Sequence, residues 1–515
     1  MADSRTTPAD RQRRVLLVGL DAADHTILLD GMNDGSLPHL ARLRAAGAWG
    51  VVSSPSGFGS GAVWPSVATA VSPAKHSRYY YQQVPPRSYE AVRFEPEDFR
   101  AEPVWKHLSD QGCRIAIYDV PKVGVSPGVN GRIAVDWLSH GGVGQHGLVT
   151  WPESYAEELV ARYGSNPLPR CDMPGGRNPE QMREFMSIME ARVRQRERCT
   201  IDAWADPELD LLVTVFAEPH CVGHQAWHVR DADHPQHDAA ANAELGDPIA
   251  GIYQMIDASI GRIVDAVHDD TVVIVFSGTG MGPNYTGNHV LDEVLRRLEG
   301  AQVTTRRSLT TRAKRLAKRM LPIALRRRAR PLKRRVEERA AVGDRARRRA
   351  FAVPHNDIAG AVRLNIVGRE RNGVLQPEDV PAYIERLRTS LVALRNEDTG
   401  APVVERVVET RSENVGDYLD HLPDVFVIWH RDQPIDRVTS PEVGLVQYVH
   451  RGNRTGDHNP ESLIVAAGPG VVAGELIGTS IYDVMPTVAA ILGVELPETD
   501  GTVIGGLVPV APARA

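Results

Sequence analysis

The strongest constraint on this chain is a set of short, unbroken apolar runs separated by helical stretches. The first is Val15 to Leu20, in RVLLVGLDAAD. Arg114 to Val120, Asp210 to Glu218, Thr271 to Gly278, Asp424 to His430 and Glu461 to Gly468 follow. A run that is apolar at every position, not every second one, is the pattern of a strand buried on both faces. Helical stretches lie between these runs, among them LPHLARLRAAG, VWKHLSDQG, a charged segment from about Glu180, and IYQMIDASIGRIVDAV. The alternation predicts an α/β fold, a mostly parallel central sheet with helices on both faces. In such a sheet catalytic groups gather at the C-terminal ends of the strands.

At 515 residues the chain exceeds what one hydrophobic core usually serves. Residues 15–301 and 410–515 are read as the α/β core, 1–14 as a loose tail and 302–409 as an inserted α+β subdomain. Within the insertion, residues 305–350 hold 19 Lys or Arg against 3 Asp or Glu, a local net charge of +16. With a whole-chain charge of −6, the remainder carries about −22 (−6 minus 16). Three readings of this segment stand: solvated Arg-rich helices, a site for an anionic partner such as nucleic acid or a membrane, or a match to an acidic surface here or on a homo-oligomer mate. It contains no aromatic residue, which argues against base stacking. The polar first fourteen residues and the lack of an 18-residue apolar run give neither a signal peptide nor a membrane helix. Four cysteines without CxxC pairing suit a reducing compartment. The expected location is the cytoplasm.

Five patches carry groups capable of chemistry. Asp21 ends the first buried strand, where an acid is costly unless paired or bound to a cation. Asp24 and His25 follow it. GFGSGAVWPSVATAVSPAKHS runs small residues into a helix expected to start near Pro65, so Ser60 and Ser66 both qualify as a hydroxyl near a helix N-terminus. EPHCVGHQAWHVRDADHPQH follows a strand and places His220, His224 and His228 at i, i+4 and i+8. Two His at that spacing can share one metal ion. SGTGMGPN permits close backbone approach to a ligand. RTGDHNPES offers His458 as a remote third ligand.

Taken in this order, the patches resemble the alkaline phosphatase superfamily, and most closely its type I phosphodiesterase/nucleotide pyrophosphatase branch. GLDAAD resembles the first metal-aspartate motif, and TSIYDVMPTVAAILGVELPETDG resembles the closing helix and tail. WPSVATAVSPAKHS resembles the stretch after the nucleophile, with Thr69-Ala70, Pro73 and His76 at the family offsets. That register implies Ser60 as nucleophile, with Ser66 as runner-up. The resemblance further implies a divalent metal, most often zinc, with manganese or iron as alternatives, in one or two sites. One site would use His220, His224 and His458, with His220 at the family's Asp position. The other would use Asp21, the nucleophile and an Asp-His pair, which here reads Gly278 and Thr279.

The implied activity is hydrolysis of a phosphodiester, pyrophosphate or related phospho or sulfo ester, with a small-molecule phosphoester as substrate. The alternative is a member that binds a ligand or partner without turnover. Three routes round the missing pair stand: a single metal that generates hydroxide, making water the nucleophile; His25, His76 or His228 as general base for Ser60; or a shifted metal site from Asp457, His228, Asp231 and His234. Arg363, Asn365, Arg369 and Glu370 are candidate substrate contacts from the insertion, or else a strand-and-turn scaffold. Trp64, Trp227 and Tyr79 to Tyr81 are read as core residues or an aromatic subsite.

Overall fold

The structure is a computed structural model and describes residues 13–508 apart from 96–97, 140–146, 174–175, 301–341, 356–357 and 449–452. Its centre is a nine-stranded sheet. In spatial order the strands are Gly474–Ser480, Ala48–Ser53, Glu461–Ala467, Thr271–Ser277, Arg14–Leu20, Leu211–Phe216, Ile115–Tyr118, Gly131–Val135 and Val149–Trp151. Only Glu461–Ala467 and Val149–Trp151 run against the rest. The expected mostly parallel α/β architecture is therefore present.

The apolar runs explain the layering. Side chains alternate faces along a strand, so Leu16, Val18 and Leu20 enter one core while Val15 and Leu17 enter the other. Every residue of Arg14–Leu20, Leu211–Phe216 and Thr271–Ser277 is buried. Helices Pro179–Trp204 and Pro248–Asp265 cover the first face, and Val104–Asp110 and Val484–Ile491 the second. Asn178 caps the long helix with a capping box, and Asp247 caps the next by accepting from two backbone N–H groups. No helix among the described residues is long and apolar enough to cross a membrane.

One strand lies elsewhere than expected. Val425–Trp429 joins a separate four-stranded sheet with Ala350–Val353, Ala359–Leu364 and Val404–Glu409. An apolar run reports burial on both faces, not which sheet provides it, and here helix Val380–Val392 covers the second sheet. This sheet takes in strands on both sides of position 409. Residues 305–341 of the Arg-rich segment lie outside the described residues. Within its described end, Arg348 pairs with Asp292 at 2.8 Å and Arg345 donates to the Tyr89 carbonyl at 2.8 Å, so these two cations are satisfied within the fold.

Candidate metal and nucleophile site

The parallel strands deliver every element of the site to one edge of the sheet. Leu211–Phe216 feeds directly into helix Glu218–Arg230, which carries His220 and His224. Thr271–Ser277 leads through Gly278 and Thr279 into Gly280–Pro283, which pairs antiparallel with Gly456–Asn459 and places Met281 opposite His458. One helical turn and one short ribbon thus bring three imidazoles together. Their ligand atoms all lie within 4.8 Å of one another, and all three residues are buried. Ring centroids are 4.5 Å apart for His220–His224, 4.8 Å for His224–His458 and 5.2 Å for His220–His458.

Hydrogen bonding sets the tautomer of one of these rings. His224 Nδ1 lies 2.7 Å from the Gly456 carbonyl, which can only accept, so Nδ1 carries the proton and Nε2 keeps its lone pair. The buried Asp457 carboxylate lies 3.4 Å from His458 Nδ1. A carbonyl on the far ring nitrogen, as Gly456 provides for His224, is a usual outer support of a metal-bound histidine. Three neutral imidazoles leaving a fourth position open form a zinc-type donor set. The residues fit a single metal ion.

The helix start is built on buried ion pairs. Arg192 of the long helix pairs with Glu218 at 2.9 Å, both side chains fully enclosed. Arg196 pairs with Asp119, which also accepts from the backbone N–H of Trp137 (2.7 Å) and Leu138 (2.6 Å). Burial raises the Glu218 pKa, and the adjacent Arg192 opposes that rise.

Ser60 opens helix Ser60–Thr69, which begins five residues before Pro65. Pro65 lies inside the helix, where its nitrogen gives up one bond to the Gly61 carbonyl. Ser60 therefore sits in the first turn, where the helix dipole favours an anion. Ser66, in contrast, is completely buried within that helix, 2.9 Å from His76 Nε2. The Arg78 N–H donates to His76 Nδ1, so His76 Nε2 is protonated and donates to Ser66. His76 thus cannot take a proton from Ser66. Burial, then the nearby Arg78 charge, pushes its pKa down to about 3.

Asp21 is not drawn into the imidazole cluster. Its carboxylate accepts from Trp64 Nε1 at 2.7 Å, and Trp64 fits because Gly19 has no side chain: a Cβ there would lie 2.6 Å from the indole. The other candidate bases are engaged away from Ser60. His25 faces Glu461 at 3.7 Å, and His228 lies 3.1 Å from the Thr455 hydroxyl. Asp231, His234 and His228 do not assemble with Asp457. Among the described residues the cluster of possible metal ligands is His220, His224 and His458. Arg363, Asn365, Arg369 and Glu370 form a scaffold: Arg363 binds Glu370, Arg369 binds Asp424, and Asn365 accepts from Tyr89. Trp64, Trp227 and Tyr79 are core residues.

The sequence reading missed Lys122. It follows strand Ile115–Tyr118, and its ammonium lies 3.0 Å from Ser60 Oγ and 2.5 Å from the Ser60 carbonyl. Burial lowers its pKa to about 8, while the Asp21 carboxylate favours the charged form and the Arg78 and Arg454 charges oppose it. Arg454 also reaches to 3.5 Å from His224 Nε2, so the Lys122 and imidazole groups share one electrostatic neighbourhood. Asp119 and Lys122 both have left-handed backbone, with φ of 54° and 64°. Side-chain-bearing residues hold that conformation only where the surroundings enforce it. The available signal was a lone Lys just past the C-terminal end of a buried strand.

No curated protein matches the chain in sequence. Among solved structures, it resembles phosphonoacetate hydrolase from Sinorhizobium meliloti 1021, with a TM-score of 0.54 and 14% identity over 93% of this chain and 96% of the other. It also resembles murine ectonucleotide pyrophosphatase/phosphodiesterase 5, with a TM-score of 0.50 and 11% identity over 95% and 98%. At these identities the likeness establishes the fold. Residues 15–400 of the 515 match the family described as type I phosphodiesterase/nucleotide pyrophosphatase, and the chain belongs to that family of hydrolases.

Proposed function

We propose that this protein is a metal-dependent hydrolase of a phosphodiester, pyrophosphate or related phospho or sulfo ester, with one divalent metal held by His220, His224 and His458 and with Ser60 as nucleophile. The observation that carries the reading is the three-imidazole cluster within 4.8 Å, with the His224 tautomer set by Gly456. Zinc suits this donor set best, with manganese or iron as alternatives. When bound, the metal supplies a fixed positive charge that polarises a substrate oxygen.

The chain's own residues do the rest. Ser60 presents its hydroxyl at a helix N-terminus, which favours the negative charge of a phosphoester. Burial of Ser60 excludes bulk water and strengthens each charge in the site. Two relatives support the reading. The Sinorhizobium enzyme was solved with phosphonoacetate, and the murine protein was solved as an inactive threonine-to-alanine variant with AMP. Both ligands are small phosphorus anions, and the second points to a hydroxyl as the reacting group.

The test is hydrolysis of bis(4-nitrophenyl) phosphate and 4-nitrophenyl phosphate by the full-length protein before and after chelation. Turnover that falls with metal removal and returns with zinc supports the proposal. A protein that retains its metal yet turns over no phospho or sulfo ester overturns it in favour of a binding role.

A further inference from the structure

The Asp21 side of the site is not built for a second dication. One carboxylate and one hydroxyl balance half of its charge, and hard cations need more oxygen ligands than that. The acid expected beside them is replaced by Gly278. A Cβ at Gly278 would lie 2.6 Å from Val63 Cγ1, so the space an acidic side chain would enter is occupied. Thr279, the next residue, is buried and its carbonyl accepts from Ser277 at 2.8 Å.

We propose that the Lys122 ammonium is the fixed cation of this half of the site and a catalytic residue, standing in for a second metal ion beside Asp21 and Ser60. The proposal rests on the reading of Ser60 as nucleophile. Its geometric basis is the grip of one ammonium on both the hydroxyl and the carbonyl of Ser60, at 3.0 and 2.5 Å, within the field of Asp21. One ammonium against one carboxylate is a neutral pair, where a dication would leave an excess charge. A purely structural tie has little reason to be built this way. It draws a lysine ammonium into a half-buried position and sets a cation at the positive end of a helix, both unfavourable by themselves. Both costs become useful when an anion enters, because the ammonium and the helix end then act on the same charge.

In the reaction, Ser60 Oγ forms a bond to phosphorus while the bond to the leaving oxygen breaks and that oxygen takes the electron pair. The serine proton passes to water, and water returns a proton to the leaving oxygen. Lys122 stays protonated throughout and stabilises the charge that develops on Oγ.

The test uses a fluorophosphonate on the full-length protein, read by intact mass. Ser60 Oγ bonds to phosphorus, fluoride leaves with its electron pair, and the serine proton goes to water. The native protein is expected to label once, at Ser60. Lys122→Met is expected to label about 100-fold more slowly or worse, the scale for removing one preorganised charge-stabilising donor. Metal content by elemental analysis should stay at its native value. Lys122→Ala should regain labelling when ethylammonium is added, and this rescue distinguishes a missing charge from a damaged fold. Native-rate labelling of Lys122→Met, no rescue of a folded Lys122→Ala, or no labelling of the native protein overturns the assignment. Labelling without turnover of any ester overturns the hydrolase reading and leaves the Lys122 assignment supported.

Discussion

The two halves of the site leave the same sheet edge but meet the same electrostatic demand differently. The His220–His224–His458 half is a cluster of three imidazoles within 4.8 Å of one another, one of them held by the Gly456 carbonyl, and on the proposed reading its cation comes from solution. The Asp21–Ser60–Lys122 half brings its cation covalently, on the side chain that follows strand Ile115–Tyr118, and Val63 fills the space beside Gly278. The first half should respond to chelators and the second should not. On the proposed assignment a missing ligand pair does not mean a dead site. Charge can be supplied by an ammonium where it was supplied by a metal, provided the carboxylate count falls with it.

The largest expected effect separates the two serines. Ser60→Ala should lower activity by at least about 10³-fold without loss of metal, as removal of a nucleophile does. Ser66→Ala should keep activity, because its oxygen is fully buried and accepts from His76. If the reverse holds, the nucleophile lies about 1.7 turns further along the helix. If both variants stay active, water attacks directly.

A smaller effect probes the space beside Val63. Gly278→Asp should destabilise the fold by about 1–3 kcal/mol through overpacking, measured by urea denaturation, and Val63→Ala in the same chain should recover part of the loss. Full stability together with an added metal ion in Gly278→Asp would blur the distinction between the halves.

A further effect, of similar size at pH 5, concerns a buried imidazole with no part in metal binding. His76 has its folded pKa depressed to about 3 from an ordinary 6.5. Below pH 6.5 the unfolded chain takes up a proton there and the folded chain does not, so stability falls as pH drops from 6.5 towards 3. At pH 5 the linkage contributes about 2 kcal/mol (1.5 units at about 1.36 kcal/mol per unit). His76→Gln should flatten that part of the stability–pH curve in denaturant titrations, and an unchanged slope would remove His76 as its source.

The legible parts of the molecule were those with a periodic or paired signal. Strands such as Arg14–Leu20 and Thr271–Ser277 are buried on both faces, so their apolar runs are continuous and easily read. Val425–Trp429 has the same signature but a different sheet, because burial carries no address. The His220 and His224 pair was visible through helical spacing. Their meeting with His458, more than 200 residues away, rested on family likeness until the ribbon of Gly280–Pro283 and Gly456–Asn459 showed it. The helix start at Ser60 was misplaced because Pro65 looks like a first-turn residue, whereas this helix tolerates it one turn in. Lys122 had no partner at any regular spacing. Its role depends on a loop held by Asp119, and only the fold brings that loop to Ser60.

One metal ion and one built-in ammonium together define the proposed site. The most direct measurement is elemental analysis of the purified native protein after equilibration with zinc, beside His458→Ala. One equivalent per chain is expected in the native protein and none retained in the variant. Two equivalents in the native protein would contradict the proposed site, because a second dication would then occupy the half of the site assigned to Lys122.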